Sequence, residues 1–259
     1  MSDWFIKLQH TPKARIRVFF FHYAGGGASI FRGWERHFSR EVDVFAVQSP
    51  GRENRYSAPP IASLERKVAL LHEEIAPYLD LPCIFVGHSM GAMLAFELAR
   101  AIEAGGIDRP AHVVLSAARA PHLPRIKPLM GGLSHDEFIE QVKMFSRTPD
   151  EILDNREIME VFMPMLRADF TLSESRVFQP EPRLQAPATV FSGVDDDAVP
   201  IADAEAWDRL LAQGADYLAF DGGHFFIHSE QARFVAAVQA IVHHELNLRH
   251  GPMQRPLAA

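Results

Sequence analysis

The most informative stretch of this chain is Cys83-Ile84-Phe85-Val86-Gly87-His88-Ser89-Met90-Gly91-Ala92-Met93-Leu94-Ala95. Its first four residues are apolar and favour a buried strand, a G-x-S-x-G pattern follows, and good helix formers continue to Arg100. A serine between a strand and a helix in this pattern lies on a sharp turn, the nucleophile elbow, with its hydroxyl exposed at the end of a sheet. We therefore interpret Ser89 as a nucleophile. The competing interpretation is a buried turn without chemistry.

Apolar runs typical of buried strands recur on both sides of this stretch. They lie at 15–21, 43–48, 83–86, 111–116, 188–192 and 217–220. Helical patterns follow most of them, at about 30–38, from Ser63 onward with an apolar face, after Ser89, around Trp207 and at about 230–245. This alternation predicts an α/β fold whose mostly parallel central sheet is flanked by helices on both faces. Together with the elbow, it favours the α/β-hydrolase fold.

The alternation stops between the strands at 111–116 and 188–192. Ser134-His135-Asp136-Glu137 is a capping box for one helix, and a second helix is predicted from about 156 to 170. We interpret these helices as a helical cap, or lid, inserted at 119–185 between core segments 1–118 and 186–246. Residues 247–259 are expected to form a flexible tail. Apolar residues recur on one side of the second helix, where they indicate either core packing or a wall for an acyl chain: Met159, Phe162, Met163 and Leu166.

A serine hydroxyl needs an adjacent base to take its proton, and the base needs a third group to fix its tautomer. In this fold the three catalytic residues occur along the sequence in the order Ser, Asp and His, and each follows a later strand of the sheet. His224 follows the last predicted strand and lies beside glycines that permit a tight loop. The preceding strand leads to Asp195, Asp196 and Asp197. We predict a catalytic triad of Ser89, Asp196 and His224, with Asp195 as the alternative acid.

A tetrahedral oxyanion requires two hydrogen-bond donors that already point at it. The backbone N–H of Met90, directly after the nucleophile, is the first predicted donor. The second is expected from the glycine-rich loop after the first long strand, where we choose Ala24 and keep Tyr23 as the alternative. His22 and His88 flank these donors, and we expect structural roles for both.

Composition excludes several classes of function. The 259 residues carry a net charge of −7, which disfavours nucleic acid as a partner. A single cysteine excludes an internal disulfide, and no H-E-x-x-H, G-x-G-x-x-G or P-loop pattern indicates a metal or a cofactor. The sequence shows neither a secretory signal nor an apolar run long enough to span a membrane. We expect a cytoplasmic, soluble monomer that binds no metal and no cofactor.

Taken together, the motifs resemble those of the type II thioesterases, stand-alone α/β-hydrolases that serve polyketide and nonribosomal peptide synthetases. The resemblance spans about Val18 to His244. It rests on Ala24-Gly25-Gly26-Gly27-Ala28-Ser29 with Phe31 and Trp34, Pro50-Gly51-Arg52, Gly87-His88-Ser89-Met90-Gly91-Ala92, Arg119-Ala120-Pro121, Leu166-Arg167-Ala168-Asp169-Phe170 and Gly222-Gly223-His224-Phe225-Phe226. Two departures are His22, where the family usually has proline, and Glu53, where it usually has glycine.

The resemblance implies an enzyme that removes aberrant or stalled acyl groups from the phosphopantetheine arm of acyl or peptidyl carrier proteins. The cap would then form the acyl pocket, with Met159, Phe162 and Met163 in its wall. Because carrier proteins are typically acidic, a local basic patch is expected at the entrance despite the negative net charge. The residues considered for it are Arg52, Arg55, Arg119, Arg125 and Lys127.

Two other functions remain open at this point. A small-molecule carboxylesterase would use the same triad on an oxygen ester. A binding module would keep the scaffold without the reaction, although such scaffolds often lose a member of the triad and this sequence offers a residue for each position.

Overall fold

Seven strands in the described part of the chain form one sheet. The computed structural model describes residues 3–106, 110–124, 129–130, 132–145, 153–175 and 179–249. The strands are β1 (Phe5–Gln9), β2 (Ile16–Phe21), β3 (Val42–Val47), β4 (Cys83–His88), β5 (His112–Ser116), β6 (Ala188–Gly193) and β7 (Asp216–Phe220). Their order is β1-β3-β2-β4-β5-β6-β7, and every neighbouring pair except β1 with β3 is parallel. The predicted α/β fold with a mostly parallel sheet is confirmed.

The edge strand β1 was not predicted from the sequence. It pairs antiparallel with β3, and only its first residue, Phe5, is fully buried. A short edge strand with one partner has no need for the continuous apolar run that marks a central parallel strand. The six strands that were predicted all have such runs, and all six are present.

Helices cover both faces of the sheet. They are α1 (Leu64–Ile75), α2 (Met90–Ala104), α3 (His135–Phe145), α4 (Arg156–Glu174), α5 (Ile201–Glu205), α6 (Phe226–Ser229) and α7 (Gln231–Leu248). Side chains of β2 alternate between two apolar cores, with Phe19 packed with residues of α1 and α2, and Phe20 packed with residues of α7. Helix α1 begins where predicted, because the Ser63 hydroxyl accepts a hydrogen bond from the Arg66 N–H at 3.2 Å.

Several predicted helices have different limits in the structure, and the second helix of the insertion continues to Glu174 rather than about 170. The segment 30–38 forms two short 3-10 helices, Ala28–Phe31 and Trp34–His37, which are separated at Gly33 with a φ of 94°. Around Trp207, α5 is followed by a 3-10 helix at Ala206–Leu210. Helix α7 continues to Leu248, so the predicted tail cannot begin at 247. Residues 250–259 of that tail lie outside the described residues.

The two helices predicted for the insertion are α3 and α4. In the capping box, the Ser134 N–H donates to the Glu137 carboxylate at 2.9 Å and the Glu137 N–H donates to the Ser134 hydroxyl at 3.3 Å. The helices share a small apolar core of their own, formed by Met130, Phe138, Ile139, Val142, Leu153, Met159 and Met163. None of the described helices is long and apolar enough to cross a membrane.

Candidate active site

Ser89 lies between the end of β4 and the start of α2, with φ 55° and ψ −117°. This conformation is strained for a residue with a side chain, and such strain concentrates at functional sites. The two glycines of the motif make the turn possible, since a Cβ on Gly91 would overlap the Phe21 carbonyl and a Cβ on Gly87 would overlap the Gly91 carbonyl. The predicted elbow is therefore present.

His224 lies between Ser89 and Asp196. Its Nε2 is 2.9 Å from the Ser89 hydroxyl oxygen, and its Nδ1 is 2.8 Å from Asp196 Oδ2. The other carboxylate oxygen of Asp196 accepts hydrogen bonds from the backbone N–H groups of Ala198 and Val199, at 2.9 and 3.1 Å. The structure thus brings the three predicted triad residues together in one hydrogen-bonded chain.

Burial separates Asp196 from its neighbours in the loop. Asp196 is only 5% exposed, whereas Asp195 and Asp197 are exposed. The loop of Asp196 is tied to the loop of His224, because the Asp195 N–H donates to the Gly222 carbonyl at 3.0 Å. The backbones approach so closely that a Cβ on Gly193 would lie 2.6 Å from the same carbonyl oxygen. The alternative acid, Asp195, therefore contributes its backbone to the site.

Met90 and Ala24, the predicted oxyanion donors, lie at the start of α2 and in the loop after β2. Met90 is the first residue of α2, and N–H groups in the first turn of a helix have no acceptor within it. In the loop after β2, the N–H groups of Gly25, Gly26 and Ala28 donate to Asp169, to the Tyr23 carbonyl and to Gln48, at 2.9, 3.0 and 2.8 Å. The assignment of Ala24, with Tyr23 as its alternative, stays a prediction.

His22 and His88, for which structural roles were expected, are buried and hydrogen-bonded. The ring of His22 lies 2.8 Å from the Ser49 hydroxyl and 2.8 Å from the Tyr23 carbonyl. Burial, reinforced by the charges of Arg52 and Lys67, lowers the pKa of His22 to about 3. Burial also lowers the pKa of His88 well below its ordinary value. Both rings are therefore neutral at pH 7 and serve as hydrogen-bonding parts of the frame.

Arg52 is not part of a basic surface patch, contrary to the prediction from the sequence. It is 5% exposed and forms a two-pronged ion pair with Asp169, with N–O distances of 2.7 and 2.8 Å. The reason is that Asp169 and nearby backbone carbonyls satisfy its guanidinium, which makes burial possible. Arg52 was considered for the patch because an acidic carrier was expected and arginine is mostly a surface residue.

The other predicted patch residues are largely engaged within the chain. Arg119 donates to Asp203 at 2.6 Å and to the Pro124 carbonyl at 3.1 Å, and it keeps part of its surface exposed. Arg55 donates to the Gln48 carbonyl at 3.0 Å and lies over the Trp4 ring at 4.3 Å from its centroid. Arg125 and Lys127 lie outside the described residues. Arg55 and Arg119 therefore keep partly exposed side chains, and a contact of either residue with the carrier stays a prediction.

The apolar stripe of α4 divides into two groups. Met159 and Met163 are buried in the core that α3 and α4 share, which is the packing interpretation of the stripe. Phe162 points away from that core and is 47% exposed. The described residues thus fit the packing interpretation for Met159 and Met163, and an acyl-chain wall stays a prediction. Phe162 keeps the surface that a contact with substrate or carrier would use.

Asp169 and Leu166 are site residues whose positions the sequence did not reveal. Asp169 receives the Gly25 N–H, and Leu166 packs against Gly25 so closely that a Cβ there would lie 2.8 Å from Leu166 Cδ2. Both residues lie in α4 and belong to the motif Leu166-Arg167-Ala168-Asp169-Phe170, one of those that carry the resemblance to the family. The available signal was an acidic residue in an otherwise apolar part of that motif, but nothing local indicates its partner.

A metal site is not apparent. In the ranges that the structure describes, no three His, Cys, Asp or Glu side chains converge in a way that could hold a metal ion. The expectation that neither a metal nor a cofactor takes part stays a prediction.

Comparison with known proteins places this geometry in a family. Residues 16–244 match the family described as "Thioesterase domain". The gramicidin S biosynthesis protein GrsT of Aneurinibacillus migulanus is 34% identical over 235 residues, which cover 91% of this chain and 92% of that protein. The linear gramicidin dehydrogenase LgrE of Brevibacillus parabrevis is 36% identical over 242 residues, with 92% of each chain covered.

A solved structure agrees with the sequence matches. YbtT, a type II thioesterase from the yersiniabactin NRPS/PKS biosynthetic pathway, superimposes with a TM-score of 0.84 at 28% identity, and the match covers 93% of this chain and 99% of that one. LgrE is named a dehydrogenase, but the sequence of this chain contains no G-x-G-x-x-G pattern, the motif that indicates a dinucleotide-binding site. With the family match over most of its length and the Ser89, His224 and Asp196 contacts in place, this chain belongs to the thioesterase domain family.

Proposed function

We propose that this enzyme hydrolyses acyl thioesters on the phosphopantetheine arm of acyl or peptidyl carrier proteins, and so edits aberrant or stalled chains in polyketide or nonribosomal peptide synthesis. The observation that carries the proposal is the chain of contacts from Ser89 through His224 to Asp196 in a member of the thioesterase family. The description of YbtT as a type II thioesterase of an NRPS/PKS pathway supports the choice of substrate class.

The triad contacts assign a role to each residue. His224 Nε2 accepts the proton of the Ser89 hydroxyl as its oxygen attacks the thioester carbonyl. Asp196 accepts a hydrogen bond from the Nδ1–H of His224, which fixes the tautomer and stabilises the imidazolium that forms. The N–H groups of Met90 and Ala24 would stabilise the oxyanion of the tetrahedral intermediate.

The same groups complete the acylation of Ser89 and then carry out its deacylation. His224 donates its proton to the departing pantetheine sulfur, and an acyl group remains on Ser89. His224 then accepts a proton from water as the water oxygen attacks the acyl carbonyl, and it returns this proton to the Ser89 oxygen as the carboxylic acid is released. A thiol has a pKa of about 8.5, far below that of an alcohol, so the thiolate leaves readily and one activated serine with an oxyanion hole suffices.

The decisive experiment compares three substrates that carry the same acetyl group. These are an acetylated phosphopantetheinyl carrier protein, acetyl-pantetheine and a matched oxygen ester. The expected result is a larger kcat/KM for the carrier than for free pantetheine and a much smaller one for the oxygen ester. Equal values for carrier and pantetheine would contradict carrier recognition. A strong preference for the oxygen ester would identify a carboxylesterase.

A further control separates an enzyme from a binding module. The Ser89→Ala variant should lose turnover on every substrate and still bind the acylated carrier. Release from the carrier by this variant at the wild-type rate would overturn the catalytic assignment. Absence of turnover by the wild type on all three substrates, with binding retained, would favour the binding module.

A further inference from the structure

A buried ion pair joins the cap to the loop that carries Ala24. Arg52 follows β3, and Asp169 belongs to the cap helix α4. Their side chains are 5% and 1% exposed and meet through two parallel hydrogen bonds. Lys67 of α1 adds a second positive charge, with its Nζ 3.9 Å from Asp169 Oδ1. Two-pronged pairs of this kind impose geometry as well as attraction.

Both members of the pair also bind the backbone of the loop. Asp169 Oδ2 accepts the Gly25 N–H at 2.9 Å, and Arg52 Nη1 donates to the Gly26 carbonyl at 2.8 Å. The ion pair therefore binds the N–H of Gly25 and the carbonyl of Gly26, the two residues directly after Ala24. The loop itself is a tight turn, because the Gly26 N–H donates back to the Tyr23 carbonyl at 3.0 Å.

Helix α4 also touches this loop through an apolar contact. Gly25 has a φ of 79°, and a Cβ at this position would lie 2.8 Å from Leu166 Cδ2. Leu166 and Asp169 are three positions apart, so they lie on the same face of α4. One face of a cap helix thus covers the turn around Ala24 with both a packed side chain and a charge-assisted hydrogen bond.

The Asp169 carboxylate is charged at neutral pH, as its contacts with Arg52 and the Gly25 N–H require. Burial alone would raise the pKa of Asp169, but the positive charges of Arg52 and Lys67 hold it below its ordinary value. The Asp169 carboxylate therefore accepts hydrogen bonds on both oxygens at neutral pH. Oδ1 accepts from Arg52 Nη2, and Oδ2 accepts from Arg52 Nη1 and from the Gly25 N–H.

We infer that Asp169 and Arg52 are positioning residues for the oxyanion hole, through which helix α4 of the cap sets the place of the Ala24 donor. The inference rests on the proposed function, since it assumes that the Ala24 loop supplies the second oxyanion donor. An oxyanion donor contributes fully only when it is already aimed at the developing charge. A shift of α4 away from the loop would remove the acceptor of Gly25, so the oxyanion hole is complete only while the cap helix is seated.

The test uses Asp169→Asn and Arg52→Lys. The first keeps an oxygen for the Gly25 N–H but places an amide against Arg52, and the second keeps a positive charge but loses the two-pronged geometry. For both variants we expect kcat to fall about 10- to 100-fold with little change in KM, short of the loss that follows removal of an oxyanion donor. If Asp169→Asn does not fold, Arg52→Lys carries the test.

A matched control separates positioning from loss of stability. Val142→Ala removes a buried side chain from the shared core of α3 and α4, away from the loop. It should lower the melting temperature while kcat is retained. If Val142→Ala lowers kcat as much as Asp169→Asn does, the ion pair acts through cap stability and the inference is wrong.

A binding measurement reads the oxyanion hole directly. A trifluoromethyl ketone analogue of acyl-pantetheine forms a tetrahedral adduct with Ser89, and its oxyanion requires the same donors as the reaction. Its affinity should fall by the same factor as kcat/KM in both variants, whereas the affinity of the matching amide analogue should stay unchanged. Unchanged affinity for the ketone would overturn the inference. Because the ketone contains no leaving group, this result is independent of whether the enzyme prefers thioesters or oxygen esters.

Discussion

The Nε2 atom of His88 lies 2.8 Å from the backbone carbonyl oxygen of His224. His88 is the residue directly before the nucleophile, and burial keeps its ring neutral by lowering its pKa. Because a carbonyl oxygen only accepts, Nε2 carries the ring hydrogen. Nδ1 must then accept from the Ser116 hydroxyl, which lies 2.8 Å away. The strand that presents Ser89 therefore holds the backbone of the residue that serves it as base.

This relationship predicts the effect of His88→Phe. The substitution keeps an aromatic ring but leaves the His224 carbonyl and the Ser116 hydroxyl without their partner. We expect a loss of about 1–3 kcal/mol in the free energy of unfolding and a lower kcat, since the His224 backbone is no longer held. Urea unfolding and steady-state kinetics measure the two effects. Ser116→Ala, which removes only the Nδ1 partner, should lower stability but spare kcat. Full activity of His88→Phe would contradict the link.

Strain at Ser89 predicts a difference between two inactive variants. The Ser89 hydroxyl makes no capping hydrogen bond to α2 and instead contacts His224, so its loss costs the helix little. Ser89→Ala and Ser89→Gly should both lose about 10⁴-fold or more in kcat. Ser89→Gly should be more stable than Ser89→Ala by about 1 kcal/mol, because glycine adopts a φ of 55° without strain. Equal thermal stability of the two variants would show that the elbow is not strained.

The aspartate loop predicts a sharp contrast between neighbouring positions. In Asp196→Asn, the remaining carbonyl oxygen can still accept from Ala198 and Val199, which turns the amide toward His224 Nδ1 and forces the wrong tautomer. We expect kcat to fall about 10⁴-fold. Asp195→Asn changes an exposed carboxylate and should leave kcat unchanged. A large loss in Asp195→Asn with an active Asp196→Asn would reverse the assignment of the triad acid.

The local sequence pattern was sufficient to predict which three side chains meet, because the topology of the sheet does most of the positioning. Ser89, Asp196 and His224 each follow a parallel strand, and parallel strands end at the same edge of a sheet. Apolar runs identify such strands directly. Strand β1 was not predicted because Lys7 and Gln9 interrupt its apolar residues, so that it forms no apolar run.

The Arg52–Asp169 pair shows where this reasoning stops. Its members are 117 positions apart, one after β3 and the other in α4. The periodicity of a sequence indicates which face of a helix is buried but does not identify the residues that pack against it. The sequence alone does not distinguish a buried arginine from an exposed one, because burial depends on a partner for the guanidinium. For this reason Arg52 was predicted at the surface, although the structure places it beside the Ala24 loop.

Acid should destabilise the native state through His22. Its pKa is about 3 in the native state, against 6.5 for the unfolded chain, so between these values the unfolded state binds a proton that the native state does not. Stability therefore falls as the pH drops below 6.5, and His22 alone should cost about 2 kcal/mol between pH 7 and pH 5. His22→Asn retains a donor near the Tyr23 carbonyl and does not titrate. Urea unfolding at pH 7, 6 and 5 should show that its loss of stability is smaller by about this amount.

The control for this effect is Ser49→Ala, which removes the hydroxyl 2.8 Å from His22 Nε2 and leaves the ring in place. We expect it to lower the free energy of unfolding at every pH without flattening its dependence on pH, because the buried ring still resists protonation. His88 adds its own acid sensitivity to both variants and to the wild type, since burial lowers its pKa too. Some dependence on pH must therefore persist in His22→Asn. If this variant lost as much stability as the wild type between pH 7 and pH 5, the proton would be taken up elsewhere.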